Sequence, residues 1–360
     1  MSGNRTPAAG WLVVGVGRHV DRFGLPALAR ARGSAAVALC GTDPVRTADL
    51  AERYGVGRRG SAVEDLLGDP GVTHVYVCSR NEQHERHVTL AAAAGKHVLC
   101  EKPLAQDPAA AHRAIAACAG YGVVLGTGFH LRHNAAHREA RRLLAEGAIG
   151  RPLWVDVTYL HRLGHGDSPV RLAGSRQVTT ASKGAMSGTG AHAVDLAQWL
   201  AGDRIVRLSA TIAELDPTPA GPQRVVQVSA TTRGGVLVTF AAGRATHPAN
   251  GLTVVGEAGR LTVSDSIGNT GGGTLSLRSA RGSSDTVFPP HDVYAAQFEA
   301  FTAATAGAAD AGPFGASGDD GLSALRVAET VDRALSEPSA PQAVDPQAVD
   351  PPARLTRGTS

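Results

Sequence analysis

The chain has 360 residues, of which 43% are hydrophobic, and a formal net charge of +3. This length is enough for two domains, and the mild, scattered positive charge excludes the basic stripe that nucleic-acid binding requires. No apolar segment approaches the ~20 residues of a membrane span, and the apolar stretch at 11–16 is too short for a signal peptide. We therefore predict a cytoplasmic protein with neither a membrane nor a nucleic acid as partner.

Cysteine and lysine usage narrows the candidate chemistry. The four cysteines have no CxxC spacing, so neither a zinc site nor a disulfide framework is expected. Only three of the 35 basic side chains are lysines. Because lysine offers a compact ammonium whose pKa shifts readily, Lys102 in Glu101-Lys102-Pro103 is the first candidate for a catalytic group.

The first third of the chain alternates short apolar runs with Ala-rich amphipathic stretches, a pattern typical of βαβ units in a parallel sheet. Asp43 and Asp107, each followed by proline, predict helix N-caps. We therefore predict a doubly wound α/β domain over 10–127. Its predicted strands are 11–16, 35–40, 73–78, 97–100 and 122–126, and its predicted helices are 21–32, 45–54, 61–67, 83–94 and 108–119.

After residue 127 the order of predicted helices and strands changes to one typical of an α+β domain. The segment 204–281 alternates β-branched and polar residues between Gly-Gly and Asn-Gly turns, which predicts antiparallel strands in a meander. A second domain is expected over 128–336, with flexible ends at 1–9 and 337–360, where PQAVD occurs twice. The other predicted elements are helices at 134–146, 190–201, 292–306 and 319–335 and a strand at 153–161.

A glycine-rich turn follows the first predicted strand. Gly15 and Gly17, with Arg18 and His19, open a helix, the context in which backbone amides approach a pyrophosphate. Val20 replaces the third glycine of the dinucleotide fingerprint. A tight βα turn without a ligand is the alternative, but the strand context favours a nicotinamide dinucleotide.

The end of the second strand bears on the choice between NAD and NADP. Its last position is Gly41, so the carboxylate that usually binds the ribose hydroxyls and repels a 2′-phosphate is missing there. Asp43 is explained as a helix N-cap, whereas Thr42 and Arg46 are expected to receive a 2′-phosphate. We therefore predict NADP, and NAD stays open through a contact of Asp43 with the ribose.

Six motifs together resemble the Gfo/Idh/MocA family, named for glucose-fructose oxidoreductase, inositol dehydrogenase and a rhizopine-catabolism protein. The resemblance covers residues 11–335, and its most specific part is AGKHVLCEKP followed in the second domain by GxHxxD. The motifs are GxG at 15–17, SRNEQH at 79–84, AAAAGKHVLCEKPLA at 91–105, GxGFxxR at 126–132, EGAIGRPL at 146–153 and GAHAVD at 190–195.

The resemblance implies a Rossmann domain that binds NAD(P), then a substrate-binding α+β domain whose large, mostly antiparallel sheet forms a homodimer or homotetramer interface. It implies hydride transfer between the nicotinamide and a secondary alcohol or ketone carbon of a sugar, nucleotide sugar, aminosugar or cyclitol. Lys102 is implied at the substrate oxygen and the cofactor, and His192 as the proton-transfer group. The other cofactor contacts that the resemblance implies are Ser79, Asn81, His84 and Glu101.

One segment departs from the family pattern GGGxxxDxGxH. Gly188 stands where the aspartate is expected, and Lys183 replaces the middle glycine. Lys183 is expected to face the substrate, with a solvated loop cation as the alternative. Tyr159 is a candidate to contact substrate and stand in for the aspartate, with packing as the alternative. The missing carboxylate leaves a second hypothesis open, a catalytically inactive NAD(P)-binding regulator or scaffold.

An arginine and three histidines complete the candidates. Arg132, at the end of the GxGFxxR motif, is expected to contact substrate. His130, His133 and His137 share approximate helical spacing, but no carboxylate or cysteine is placed with them. We therefore predict no metal site and expect these histidines at the surface or at the substrate.

Overall fold

The computed structural model contains two β-sheets with helices packed against them. No helix among the described residues is long and apolar enough to cross a membrane. The predicted site residue Lys183 and most of the predicted flexible ends lie outside the described residues. The described ranges are 9–161, 186–218, 221–244, 248–307, 314–336 and 342–343.

The first sheet has the strand order of a Rossmann fold, as predicted. Six parallel strands follow the order β3-β2-β1-β4-β5-β6, so the topological switch lies between β1 and β4. The strand β3 was not predicted, because its residues are arginines and glycine at the sheet edge and carry no apolar signal. The strands are β1 Ala9–Val14, β2 Ser34–Cys40, β3 Arg58–Gly60, β4 His74–Val77, β5 His97–Cys100 and β6 Leu125–Thr127.

The helices of this domain begin at the predicted N-caps. The Asp43 carboxylate accepts a hydrogen bond from the backbone N–H of Arg46, and that of Asp107 accepts one from Ala110. The predicted first helix differs, because the segment Val20–Gly24 forms a π-helical turn before the α-helix begins. The helices are α1 Leu25–Arg30, α2 Pro44–Arg53, α3 Glu64–Leu67, α4 Asn81–Ala93 and α5 Pro108–Gly120.

The second sheet is mostly antiparallel but is not the simple meander that we predicted. Its order is β14-β13-β12-β11-β7-β10-β9-β8-β16, so β7 separates β10 from β11 and pairs with β10 in parallel. Turn residues define hairpins along the chain but do not reveal an earlier strand inserted between them. The strands are β7 Pro152–His161, β8 Ile205–Thr218, β9 Gly221–Thr232, β10 Leu237–Arg244, β11 Ala249–Gly256, β12 Gly259–Ser264, β13 Gly271–Ser279, β14 Gly282–His291 and β16 Gln342–Ala343.

One face of the second sheet packs on helices and the other is open. Val155 and Val157 of β7 are buried in the core that also holds Leu196, whereas Trp154 and its register partner Leu237 are exposed on the opposite face. The helical layer includes α6 Ala135–Ala145 and α7 Ala191–Ala201, which follow a 3₁₀ turn at His130–His133 and a π turn at Met186–Gly190.

Two elements that follow β14 along the chain pack on the Rossmann domain, although both lie within the predicted second-domain range of 128–336. Helix α8 Val293–Thr305 places Phe298 in one core with Trp11, with ring centroids 5.0 Å apart. Strand β15 Ala316–Ser317 pairs antiparallel with β6 and leads into helix α9 Gly318–Ser336. Helix α9 lies between the two cores, with Leu322 in the Rossmann core and Val327 and Val331 in the core of the second sheet. The amphipathic pattern predicted both helices but not where they pack.

Candidate active site

The glycine-rich turn has the shape that a dinucleotide requires. Gly15 has a φ of +95°, and a Cβ there would lie 2.6 Å from the carbonyl oxygen of Cys78. Gly17 has open space where a side chain would stand, and it is exposed together with Arg18. Because the backbone of this turn is uncovered at the carboxyl edge of the sheet, it fits the close approach of a pyrophosphate.

The end of β2 has no room for a carboxylate. A Cβ on Gly41 would overlap the side chains of Val16 and Thr47, so the residue after the strand is restricted to glycine. Asp43 uses its carboxylate to cap helix α2. The acidic side chain that recognises ribose hydroxyls in many Rossmann proteins therefore has no counterpart at the strand end.

Arg46 lies beside this closed position. Its Nε donates a hydrogen bond to the carbonyl oxygen of Val16 at 2.5 Å, and its Nη2 lies 3.1 Å from a carboxylate oxygen of Asp21. The hydroxyl-bearing Thr42 is exposed at the same strand end. The structure thus brings together the two residues that we predicted for a 2′-phosphate.

The Glu-Lys-Pro loop follows β5 and is held by a buried carboxylate. Glu101 Oε1 accepts a hydrogen bond from the Tyr76 hydroxyl at 2.8 Å and lies 3.2 Å from Nε2 of His19, and Oε2 accepts one from the backbone N–H of Lys102. Burial raises the pKa of Glu101, but His19 and Lys102 outweigh burial and lower that pKa to about 2. The Lys102–Pro103 peptide is cis. Glu101 therefore fixes the loop from inside the protein.

The predicted cofactor contact of His84 needs correction. His84 is buried, with Nδ1 2.9 Å from the carbonyl oxygen of Pro103 and Nε2 3.1 Å from that of Ser79. Both nitrogens face backbone acceptors, so His84 links two loops and presents no nitrogen to a nicotinamide. The Ser79 hydroxyl contacts His87 Nδ1 at 2.9 Å, while Asn81 is exposed at the start of α4.

The two predicted catalytic residues, Lys102 and His192, come from different domains. Lys102 is partly buried, and burial lowers the pKa of its ammonium. His192, in the first turn of α7, is buried, and burial lowers its pKa well below the ordinary value, with further lowering by the positive charge of Lys102. Because the charge of Lys102 acts on the His192 pKa, both side chains belong to the same candidate site. His192 is therefore a neutral base in the same site as an ammonium.

A wall of stacked rings, which was not predicted, lines the site beside His192. His130 stacks on Tyr294 of α8, with centroids 4.4 Å apart and planes 24° apart. His130 Nε2 donates to the carbonyl oxygen of Gly268 at 3.1 Å, and the Tyr294 hydroxyl donates to Asn269 Oδ1 at 3.0 Å. In the sequence, the helical spacing of the histidines drew attention to His130, but nothing distinguished Tyr294 from a core residue.

The comparisons with known proteins agree with this geometry. Residues 9–129 match the model of an oxidoreductase family with an NAD-binding Rossmann fold, and residues 137–262 match the GFO/IDH/MocA C-terminal domain. The chain is 32% identical to 1,5-anhydro-D-fructose reductase of Ensifer adhaerens over 328 residues, which cover 91% of this chain and 96% of that protein. The chain belongs to the Gfo/Idh/MocA family.

Solved structures show the same Gfo/Idh/MocA architecture over nearly the whole chain. An aldose-aldose oxidoreductase from Caulobacter crescentus, complexed with glycerol, superposes with a TM-score of 0.80 at 24% identity, covering 93% of this chain and 99% of that one. An oxidoreductase domain protein from Kribbella flavida gives 0.77 at 27% identity, covering 94% and 99%. The predicted fold class and family are confirmed.

Arg132 of this Gfo/Idh/MocA protein does not contact the substrate space as we predicted. Its guanidinium is buried and pairs with Asp195 at 2.6 Å and Asp320 at 3.1 Å, and it also donates to the carbonyl oxygen of Gly315. These partners join the start of α6, α7 and α9. Arg132 is therefore part of the packing between elements.

The remaining histidines of the predicted trio also face away from the site. His137 contacts the carbonyl oxygen of Leu131 and the hydroxyl of Ser266, each at 2.9 Å, and His133 packs near Gly315. Both are buried, which corrects the expected surface or substrate position. In the described part of the chain, no group of three or more His, Cys, Asp or Glu residues could hold a metal ion.

Gly188, where the sequence departs from the family pattern, lies in the π turn before α7 and has space beside it for solvent or a ligand. A Cβ on Gly188 would meet no atom of the described residues within 4 Å. Tyr159 is buried on β7, where burial raises the pKa of its phenol, and its ring centroid lies 6.2 Å from that of His192. The site therefore contains a free space at position 188 and a phenol near His192.

Proposed function

We propose that this protein is an NAD(P)-dependent oxidoreductase that moves a hydride between nicotinamide and a secondary alcohol or ketone carbon of a sugar, nucleotide sugar, aminosugar or cyclitol. The observation that carries the proposal is that Lys102 and His192 belong to one candidate site, where burial lowers the His192 pKa and the charge of Lys102 lowers it further. An ammonium and a neutral base at one oxygen are the pair that a carbinol or carbonyl needs. The name of the 1,5-anhydro-D-fructose reductase relative supports a sugar-like substrate.

The two residues divide the work at the substrate oxygen. The nicotinamide, when bound, supplies or accepts the hydride. His192 takes the hydroxyl proton during oxidation and returns a proton to the oxygen during reduction. Lys102 stabilises the negative charge that develops on that oxygen, an effect of about 3 kcal/mol for a well-placed donor. Glu101 keeps the loop of Lys102 in place through the hydrogen bonds of its two carboxylate oxygens.

The proposal includes NADP as the preferred cofactor. Three features support it: the closed strand end at Gly41, the exposed hydroxyl of Thr42 and the guanidinium of Arg46. Asp43 caps α2, which leaves it unsuited to hold a ribose. A cation next to a strand end that has no carboxylate favours a 2′-phosphate, which would compete with Asp21 for the Arg46 guanidinium.

The test combines cofactor binding with turnover. The purified protein is titrated with NADPH by fluorescence and assayed with a panel of keto sugars, and Lys102→Met and His192→Asn are compared with it. Turnover is expected to fall about 10²- to 10³-fold in both variants while NADPH binding changes little. Lys96→Met is the matched control, because the Lys96 ammonium binds the Val72 carbonyl oxygen at the opposite end of β5.

Two results would contradict the proposal. Unchanged turnover in Lys102→Met would remove the ammonium from the chemistry. NADPH binding without turnover across a broad panel would favour the inactive regulator, a function with which the missing carboxylate at Gly188 agrees.

A further inference from the structure

His192 lacks the partner that a proton-transfer histidine usually has. Such a histidine normally binds an orienting group through its second ring nitrogen, which fixes both the tautomer and the ring direction. The Nδ1 atom of His192 is buried and has no hydrogen-bond partner among the described residues. Gly188, four residues earlier, has no side chain to bind this nitrogen and no described atom within 4 Å of where a Cβ would stand. The orientation of His192 must therefore come from another contact.

The shortest ring contact of His192 is with His130. Their centroids are 4.7 Å apart and their planes meet at 74°, so the edge of one ring faces the plane of the other. Phe129 and Tyr159 also approach His192, with centroid distances of 5.8 and 6.2 Å. Contacts between aromatic rings at such distances and angles are favourable and directional.

His130 is itself immobilised on two sides. Its plane stacks on Tyr294, and its Nε2 donates to the carbonyl oxygen of Gly268. Tyr294 is held in turn by the hydrogen bond from its hydroxyl to Asn269. All of these contacts are away from solvent, since His130 and Tyr294 are both only 3% exposed. A ring that is fixed in this way can fix its neighbour.

We propose that His130 is the positioning residue of the proton-transfer step and orients the His192 imidazole through the contact between the two rings. The inference rests on the proposed role of His192. Burial lowers the pKa of His130 to about 4, so at neutral pH it carries no charge to repel His192 when His192 gains a proton. The titratable groups that face His192 are His130, Lys102, His19 and Tyr159.

The free space at Gly188 allows a compensation test, in which a new side chain at position 188 replaces the orienting effect of the His130 ring. A carboxylate introduced there has room and lies about one helical turn before His192. It can therefore accept a hydrogen bond from the unpartnered nitrogen and take over the orienting task. Gly188→Asp should compensate for a lost His130 ring, which a change of packing alone would not do.

The experiment uses His130→Leu, His130→Phe, Gly188→Asp and the double variant His130→Leu with Gly188→Asp. Leucine keeps most of the buried volume but has no ring, so kcat is expected to fall about 10- to 100-fold with KM changed less than about threefold. His130→Phe keeps the ring contact and is expected to lose less than about fivefold. The double variant is expected to regain about tenfold of the loss.

The matched control is His133→Leu. His133 is a buried histidine of the same 3₁₀ turn, but its ring packs near Gly315 instead of His192. This variant is expected to lose stability while keeping kcat. An unchanged kcat in folded His130→Leu, an equal loss in His130→Phe, or no recovery in the double variant would each overturn the proposal.

A second measurement needs no substrate and separates this inference from the proposed function. The ¹⁵N resonances of the His192 ring report its tautomer and pKa. We expect one tautomer in the parent protein and in His130→Phe, and an averaged mixture in His130→Leu. Identical resonances in the parent and His130→Leu would overturn the inference, even where the panel of sugars shows no turnover.

Discussion

Arg46 and Val16 join the start of helix α2 to the glycine-rich turn, because the guanidinium Nε donates to the Val16 carbonyl oxygen at 2.5 Å. The same guanidinium lies 3.1 Å from Asp21. Its position is thus set by the cofactor turn on one side and by the π-helical turn that follows it on the other. Substitution of Arg46 therefore tests whether the protein prefers NADP or NAD.

We expect Arg46→Ala to weaken NADPH binding about 10- to 100-fold, the range of one lost charge-assisted hydrogen bond. NADH affinity should stay within about threefold, because NADH has no 2′-phosphate. Dissociation constants from fluorescence titration measure both effects. Arg53→Ala is the matched control, since Arg53 also pairs with Asp21, at 3.0 Å, but its other contacts are with Asp49 of its own helix and the ring of Tyr54 at the end of that helix. Equal losses for NADH and NADPH in Arg46→Ala would mean that Arg46 only supports the turn.

The pH dependence of oxidation follows from the pKa directions of the catalytic pair. His192 must be neutral to accept a proton, and burial lowers its pKa well below 6.5, so the acid limb of kcat/KM should lie below pH 6.5. Lys102 must be charged, and burial lowers its pKa from 10.5, so the basic limb should lie below pH 10.5. Initial rates of alcohol oxidation between pH 4.5 and 10.5 measure both limbs. An acid limb at pH 6.5 or above would show that another group, or a differently placed His192, accepts the proton.

Much of the fold and the central pair of the site could be predicted from the sequence. Asp43 and Asp107 capped helices where expected, because an N-cap followed by proline is a local signal. Lys102 and His192 were predicted because their motifs resemble those of a known family. These features depend on residues that are neighbours in sequence or part of a recognisable pattern.

Other features could not be predicted, because they depend on contacts between distant segments. Tyr294 reaches the site only because α8, which follows β14 of the second sheet, packs on the Rossmann core. His84 and Arg132 carry polar groups suited to a ligand, and only the folded chain shows that their donors already have protein partners. Whether such a residue binds a ligand or supports the fold depends on the groups that it contacts in the folded protein, and the residue type alone does not reveal them.

The buried ion pairs of Arg132 should make it more important for stability than for catalysis. Arg132→Met keeps an unbranched, largely apolar side chain but removes the cation that Asp195 and Asp320 share. Breaking a buried pair in this way typically costs about 3 to 5 kcal/mol, because a charge stays in the interior without compensation. Urea unfolding should show this loss, whereas kcat of the protein that is still folded should change less than about threefold.

Arg142→Met is the matched control for this prediction. Arg142 on α6 also pairs with two carboxylates, Glu139 and Glu146, but its side chain is 53% exposed. Solvent screens such pairs, so the expected loss of unfolding free energy is below about 1 kcal/mol. If Arg132→Met and Arg142→Met lost the same small amount, the buried network would not stabilise the junction of α6, α7 and α9. A large fall in kcat of folded Arg132→Met would instead restore Arg132 as a substrate contact, because a purely structural cation has no reason to affect the chemical step.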